Sequence, residues 1–102
     1  MSGGDEIDKG QYESVTELDY VSGCALLTRK DLFCKIGYMD ESFFAYFEET
    51  DWCVRASNEG YRLLYVPKAR MWHKVRASSR NISGFHEYQM TRNMFWFLKK
   101  HL

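Results

Sequence analysis

The sequence predicts an α/β chain, α+β when taken by itself, with too few strands to close a sheet of its own. Three observations carry this expectation. Hydrophobic periodicity marks two short helices and a longer one, over 29–36, 48–59 and 84–102. Strand texture is confined to Tyr20–Thr28, Tyr61–Val66 and a weakly alternating Ala69–Val75, whereas a sheet of this class has about five or six strands. Aromatics make up 17% of the 102 residues, more than so small a core needs, so some of them are expected to line an interface or a site.

Met1–Ser14 is polar, with Gly3, Gly4, Gly10 and several acids, and reads as a flexible lead-in to a packed unit over residues 15–102. In the first strand, Ser22-Gly23 allows a bend or a close backbone approach. Leu32, Phe33 and Ile36 fall at helical spacing, and Gly37 suits the left-handed cap that ends such a helix. Asp40-Glu41-Ser42 is a turn, and Phe43–Phe47 is an aromatic connector. The helix that follows closes at Gly60, and Pro67 stops the next strand. Residues 77–84 form a Ser/Asn/Gly loop, and the last helix places Phe85, Tyr88, Met94, Phe95 and Leu98 near one face.

Composition excludes several classes. Fourteen basic and fourteen acidic residues give a formal net charge of zero, so the chain lacks the basic surplus of a nucleic-acid binder. Cys24, Cys34 and Cys53 form no Cys-x-x-Cys pair and read as reduced, small apolar residues of an intracellular protein. No apolar run approaches the ~20 residues of a spanning helix, so the expected location is the cytoplasm, with any membrane contact peripheral, at the inner face. No P-loop, Gly-x-Gly-x-x-Gly, Gly-x-Ser-x-Gly or His-Glu-x-x-His is present.

The sharpest change of texture runs from Phe43 to Arg55. Four aromatics within five residues give way to Glu48, Glu49 and Asp51. Such a step marks the rim of a site, where a packed wall meets a polar cavity. It equally describes an ordinary helix start, where acids suit the positive N-terminal end. On a helix, Glu48, Asp51, Trp52 and Arg55 share one face, and Asp51 and Arg55 form an i,i+4 pair that either clamps the helix or orients a ligand. Glu49 lies off that stripe, free to face a cavity. Neighbouring acids on one helix do not supply two carboxylates across a glycosidic bond, as hydrolysis needs; one carboxylate acting as base on a hydroxyl is the more economical use. Arg76, Arg80 and Arg92 form either a phosphate grip or a solvated face. His73 reads as a structural residue or a metal ligand.

Taken together, Asp19–Leu27, Gly37–Phe44, Phe47–Arg55, Gly60-Tyr61, Pro67–Ala69 and Trp72-His73 resemble one family, in order and spacing. They are similar to the second half of a family 2 glycosyltransferase of the GT-A fold, in the rhamnosyltransferase-like branch. Tyr88, Thr91, Arg92 and Asn93 extend the likeness into the last helix.

The resemblance implies a division of roles. Glu49 stands at the position of the general base that deprotonates the acceptor hydroxyl, with Glu48 as the alternative and Asp51 as the anchor beside Arg55. Ser22, Gly23 and Cys24 resemble the stretch that passes close to donor sugar and acceptor. Trp52 and Tyr46 are available to stack on sugar rings, with packing the other role for Tyr46. His73 is similar to a histidine that completes a Mg²⁺ or Mn²⁺ site on the nucleotide-diphospho-sugar. The acceptor implied is a glycan or a lipid-linked hydroxyl in surface polysaccharide synthesis.

The Asp-x-Asp of the nucleotide-binding half occurs nowhere in this sequence. The expectation is therefore an acceptor-side fragment, inactive alone, whose partner is that missing half. The competing expectations are an interaction module that keeps the scaffold without the chemistry, and a small metal-binding domain built on His73 and the acids.

Overall fold

In the computed structural model of the chain, residues 6–74 and 82–102 are described. Val75, Arg76, Arg80, most of the 77–84 loop and the first five residues of the lead-in lie outside them. The described residues form a small α+β unit. Its elements are β1 (Thr16–Leu18), α1 (Lys30–Ile36), α2 (Glu48–Asn58), β2 (Leu63–Tyr65) and α3 (Phe85–His101), with single 3-10 turns at Gly23–Ala25 and Glu41–Phe43. β1 and β2 pair antiparallel, with Thr16 opposite Tyr65 and Leu18 opposite Leu63.

The helix boundaries follow local chemistry. Gly37, at φ 90°, ends α1, and its N–H donates to Phe33 O. At the end of α2 the Gly60 N–H donates to Ser57 O and the Tyr61 N–H to Ala56 O, the double bond of a Schellman cap with Gly60 left-handed. That cap turns the chain directly into β2, which is shorter than the expected 61–66.

Two expected strands are corrected. Tyr20–Thr28 does not pair; the strand lies earlier, at Thr16–Leu18. Val21 and Leu26 instead pack onto the core as loop residues, and the Val21 N–H sits 3.5 Å from Cys53 Sγ rather than in a ladder. Ala69–Lys74 form no strand.

The core is centred on α2: Trp52, Cys53, Ala56 and Leu63 are buried, and Leu32, Phe33 and Ile36 of α1 pack against them. The Trp52 Nε1–H donates to Gly37 O at 2.9 Å, and the Phe33 ring lies 5.4 Å from the indole. Arg55 donates to Ile36 O and Tyr38 O, both at 2.7 Å, so one guanidinium satisfies carbonyls at and beyond the end of α1.

The expected face of α3 is also corrected. Its buried residues are Gln89 and Asn93, with Phe97 half-buried, while Tyr88, Met94, Phe95 and Leu98 are exposed. Amphipathic reading assumes that an apolar stripe meets a core. Here the helix meets the aromatic connector, where Asn93 donates to its carbonyls and Phe85 and Phe97 pack against its rings.

Candidate active site

The site begins at the connector. The Ala45 N–H donates to Phe43 O at 2.8 Å across Phe44, whose φ of 63° and ψ of −59° make a γ-turn of the rarer hand. Tyr46 and Phe47 also have positive φ, 69° and 72°. Three bulky residues in this region cost about 1–3 kcal/mol each and persist only where the surroundings over-determine them. The surroundings here are α3, whose Phe85 and Phe97 rings pack against Phe44, Tyr46 and Phe47 and whose Asn93 bonds the backbone. Asn93, fully buried, places its Nδ2 2.8 Å from Phe43 O, 2.7 Å from Ala45 O and 2.8 Å from Tyr46 O. Arg92 donates to Asn93 Oδ1 and to Ser42 O, which orients the carboxamide. Trp96 Nε1–H adds a bond to Ser42 Oγ.

This turn delivers α2 with Phe47 as its left-handed N-cap and three acids in the first turn. The acids separate sharply. Asp51 has no exposed surface: its Oδ2 accepts from Arg55 Nε at 2.9 Å, and its Oδ1 lies 2.8 Å from both Lys100 Nζ and His101 Nε2. Burial alone pushes this carboxyl up, but the donors from Lys100, His101 and Arg55 outweigh it and hold Asp51 below the usual carboxylate range. Lys100 also reaches Asp40 at 2.6 Å, and with Ser42 it holds Asp40 far down. The Asp51–Arg55 pair expected from spacing is therefore present. The sequence does not mark Lys100 and His101 as partners of Asp51, because a basic last turn of a helix is an ordinary solvated feature.

Glu48 and Glu49 each have one buried carboxylate oxygen, Oε2, without a hydrogen-bond partner. Burial, with the Glu49 charge beside it, pushes the Glu48 carboxyl up. Glu49 turns to the other side of α2, where the Gly23 N–H donates to its Oε1 at 3.4 Å. The segment around Gly23 lies along α2: Val21 meets Cys53 and Gly23 meets Glu49, one helical turn apart. A Cβ at Gly23 would stand 3.4 Å from Glu49 Cβ, so the backbone passes close because the residue is glycine.

The structure thus brings Gly23 of the expected Ser22–Cys24 stretch to Glu49. Ser22 Oγ and the exposed Cys24 Sγ, on either side of Gly23, are 3.2 Å apart. It does not bring the other expected residues there. Trp52 is 2% exposed and offers no ring face to a sugar, and Arg55 is spent on Asp51 and two carbonyls. Both belong to the scaffold. His73 lies exposed beyond β2. An open cleft of about 420 Å³, lined by Met39, Asp40, Glu41, Phe44 and Glu48, adjoins the start of α2. Among the described residues, no group of three His, Cys, Asp or Glu side chains could hold a metal ion, and no helix is long and apolar enough to cross a membrane.

No protein-family model and no solved structure matches the chain. Curated proteins do. A dTDP-rhamnosyl transferase of Shigella flexneri is 28% identical over 92% of the chain and 34% of its own length. A rhamnosyltransferase of Escherichia coli is 33% identical over 74% of the chain and 29% of its own length. An N-acetylglucosaminyl-diphospho-decaprenol L-rhamnosyltransferase of Mycobacterium tuberculosis is 35% identical over 61% of the chain and 20% of its own length. The chain therefore spans about a third or less of these relatives, all of which are named for sugar transfer.

Proposed function

We propose that this chain supplies the acceptor-side part of an inverting glycosyltransferase of family 2 and the GT-A fold, with Glu49 as general base. The observation that carries the reading is the Glu49 carboxylate. One oxygen is held at the backbone of Gly23 and the other is buried without a hydrogen-bond partner, in a chain similar to rhamnosyltransferases. In the reaction an acceptor hydroxyl enters between the 22–24 segment and Glu49. Its oxygen forms a bond to the anomeric carbon of a nucleotide-diphospho-sugar as the bond to the diphosphate oxygen breaks. The proton passes to Glu49, and the nucleoside diphosphate leaves with the bonding electrons.

Glu48 is the less suited of the pair, because its burial favours the protonated acid. Asp51 takes no proton in this scheme; three donors keep it charged and it anchors α2 to α3. By analogy with the relatives' names, the donor sugar is rhamnose on a nucleoside diphosphate and the acceptor a glycan or lipid-linked sugar. A Mg²⁺ or Mn²⁺ ion on the donor diphosphate would offset the charge of the leaving group. The described residues do not compose a site for it; His73 offers one ligand only, and no step above runs through the metal. The sequence has no Asp-x-Asp, and transfer by this chain is proposed to require the nucleotide-binding half of the fold.

The test is a pair of titrations of the ¹⁵N-labelled chain. N-acetylglucosamine at millimolar concentration, as a stand-in for a saccharide acceptor, is expected to shift the amide resonances of Ser22–Cys24 and Glu48–Glu49. dTDP-rhamnose is expected to bind no more tightly than millimolar. Saccharide shifts confined to other parts of the chain, or micromolar binding of the nucleotide-sugar, would overturn the acceptor-side assignment.

A further inference from the structure

All the long-range polar contacts that α3 makes among the described residues run to one segment, Asp40–Asp51. Arg92 and Trp96 reach Ser42, Asn93 reaches Phe43, Ala45 and Tyr46, Lys100 reaches Asp40 and Asp51, and His101 reaches Asp51. Among the described residues, no other side chain touches three carbonyls of the connector. We infer that Asn93 is the positioning residue for the Glu48–Glu49 carboxylates: its carboxamide fixes the left-handed turn that sets where α2 begins.

Phe44, Tyr46 and Phe47 sit in a backbone region that bulky residues rarely occupy, and nothing in their own chemistry favours it. Without an external donor, the Phe43, Ala45 and Tyr46 carbonyls would turn outward to water and the three residues would relax to negative φ. The axis of α2 can stay in place, since Trp52 and Arg55 hold it from α1. Its first turn cannot, because Phe47 is its cap and the Asp51 N–H donates to Phe47 O. The consequence of losing Asn93 is therefore confined: Glu49 loses its position against Gly23 while the core remains.

The link from Asn93 to catalysis rests on the transferase reading above; the clamp itself does not. Amide hydrogen exchange on the 102-residue chain tests the clamp. Asn93→Ala is expected to speed exchange at Phe44, Ala45 and Asp51 by at least about tenfold, consistent with local opening, and to leave the β1–β2 ladder and the Gly37 amide unchanged. Asn93→Asp, which cannot donate and sets a carboxylate against three carbonyls, is expected to have the larger effect. In the complete transferase, Asn93→Ala should lower kcat per folded molecule, counted by donor binding sites, with the donor KM unchanged; a merely structural role would leave kcat per folded molecule at that of the parent.

A measurement on the unmodified chain guards against a variant that fails to fold. The Asn93 side-chain amide protons should exchange much more slowly than those of Asn58, which is exposed. Exchange at Phe44–Asp51 unaffected by Asn93→Ala, or Asn93 protons as fast as those of Asn58, overturns the clamp. If Glu49→Gln leaves turnover intact, the catalytic reading falls instead, and the exchange result still decides the clamp.

Discussion

Replacing Asp51 with alanine should be the most damaging single change on α2 that leaves its apolar packing untouched. The carboxylate has no exposed surface and faces Arg55, Lys100 and His101, whose side chains are 22%, 33% and 14% exposed. Breaking such a cluster from the anionic side leaves the Arg55 and Lys100 cations without this counter-charge and His101 without its partner, which costs about 3–5 kcal/mol. Two of the three keep other partners: Arg55 retains Ile36 O and Tyr38 O, and Lys100 retains Asp40. The lower end, about 3 kcal/mol, is therefore the expectation. Against a total stability of roughly 5–15 kcal/mol this is a large fraction. It corresponds to a fall in Tm of roughly 12–24 °C, taking about 4–8 °C per kcal/mol. Urea and thermal unfolding followed by circular dichroism at pH 7 measure it. Asp31→Ala is the control: its contact with Arg29, at 2.5 Å, is shorter, yet both groups lie in solvent, so its midpoint should stay at that of the parent chain. A loss below about 1 kcal/mol for Asp51→Ala, or one no larger than that of the control, would refute the claim that burial makes this cluster the tie between α2 and α3.

Acid should loosen the same tie. Asp40 and Asp51 are held below their ordinary values, so their contribution is complete above the unfolded carboxylate value, near ~3.9, and is lost as pH falls through the folded values. Glu48 works in the opposite sense, since its raised value favours the folded state only where it is protonated. Acid titration should therefore show α3 releasing below about pH 4, and Asp51→Ala should flatten that limb; an identical acid limb in both proteins would contradict this. Gly37→Ala should cost about 1–3 kcal/mol, because a Cβ there meets both a φ of 90° and Arg55 NH1 at 3.2 Å. Gly60→Ala, left-handed but with open space around it, should cost less, and urea midpoints in the reverse order would show that Arg55 does not crowd Gly37.

The helices were legible from the sequence because their signals are local. Gly37 and Gly60 mark the ends of α1 and α2, and the apolar spacing of Leu32, Phe33 and Ile36 marks the buried face of α1. The Asp51–Arg55 pair was legible for the same reason, being set by helical spacing alone. The connector was not. Left-handed turns announce themselves by Gly, Asn or Asp, and Phe44, Tyr46 and Phe47 are none of these; the information lies about fifty residues away, in Asn93. The side on which α3 docks was misread because a stripe of aromatics is the stronger pattern, while the decisive side chains are a single amide and a basic last turn. Trp52 and Arg55 were drawn to the site by their place in a motif. Only packing shows that the indole is enclosed and the guanidinium already used.

The role of Glu49 is open to the most direct measurement. Single-turnover transfer from dTDP-rhamnose by the complete transferase compares Glu49→Gln with the parent enzyme and with Glu48→Gln. Glutamine keeps the shape and the contact at Gly23 but takes no proton. The rate of Glu49→Gln should fall by about 10²–10⁴-fold, the typical contribution of a positioned base, with donor affinity unchanged and Glu48→Gln far less affected. Near-normal turnover by Glu49→Gln would contradict the account, and if Glu48→Gln were the inactive variant the base would be Glu48.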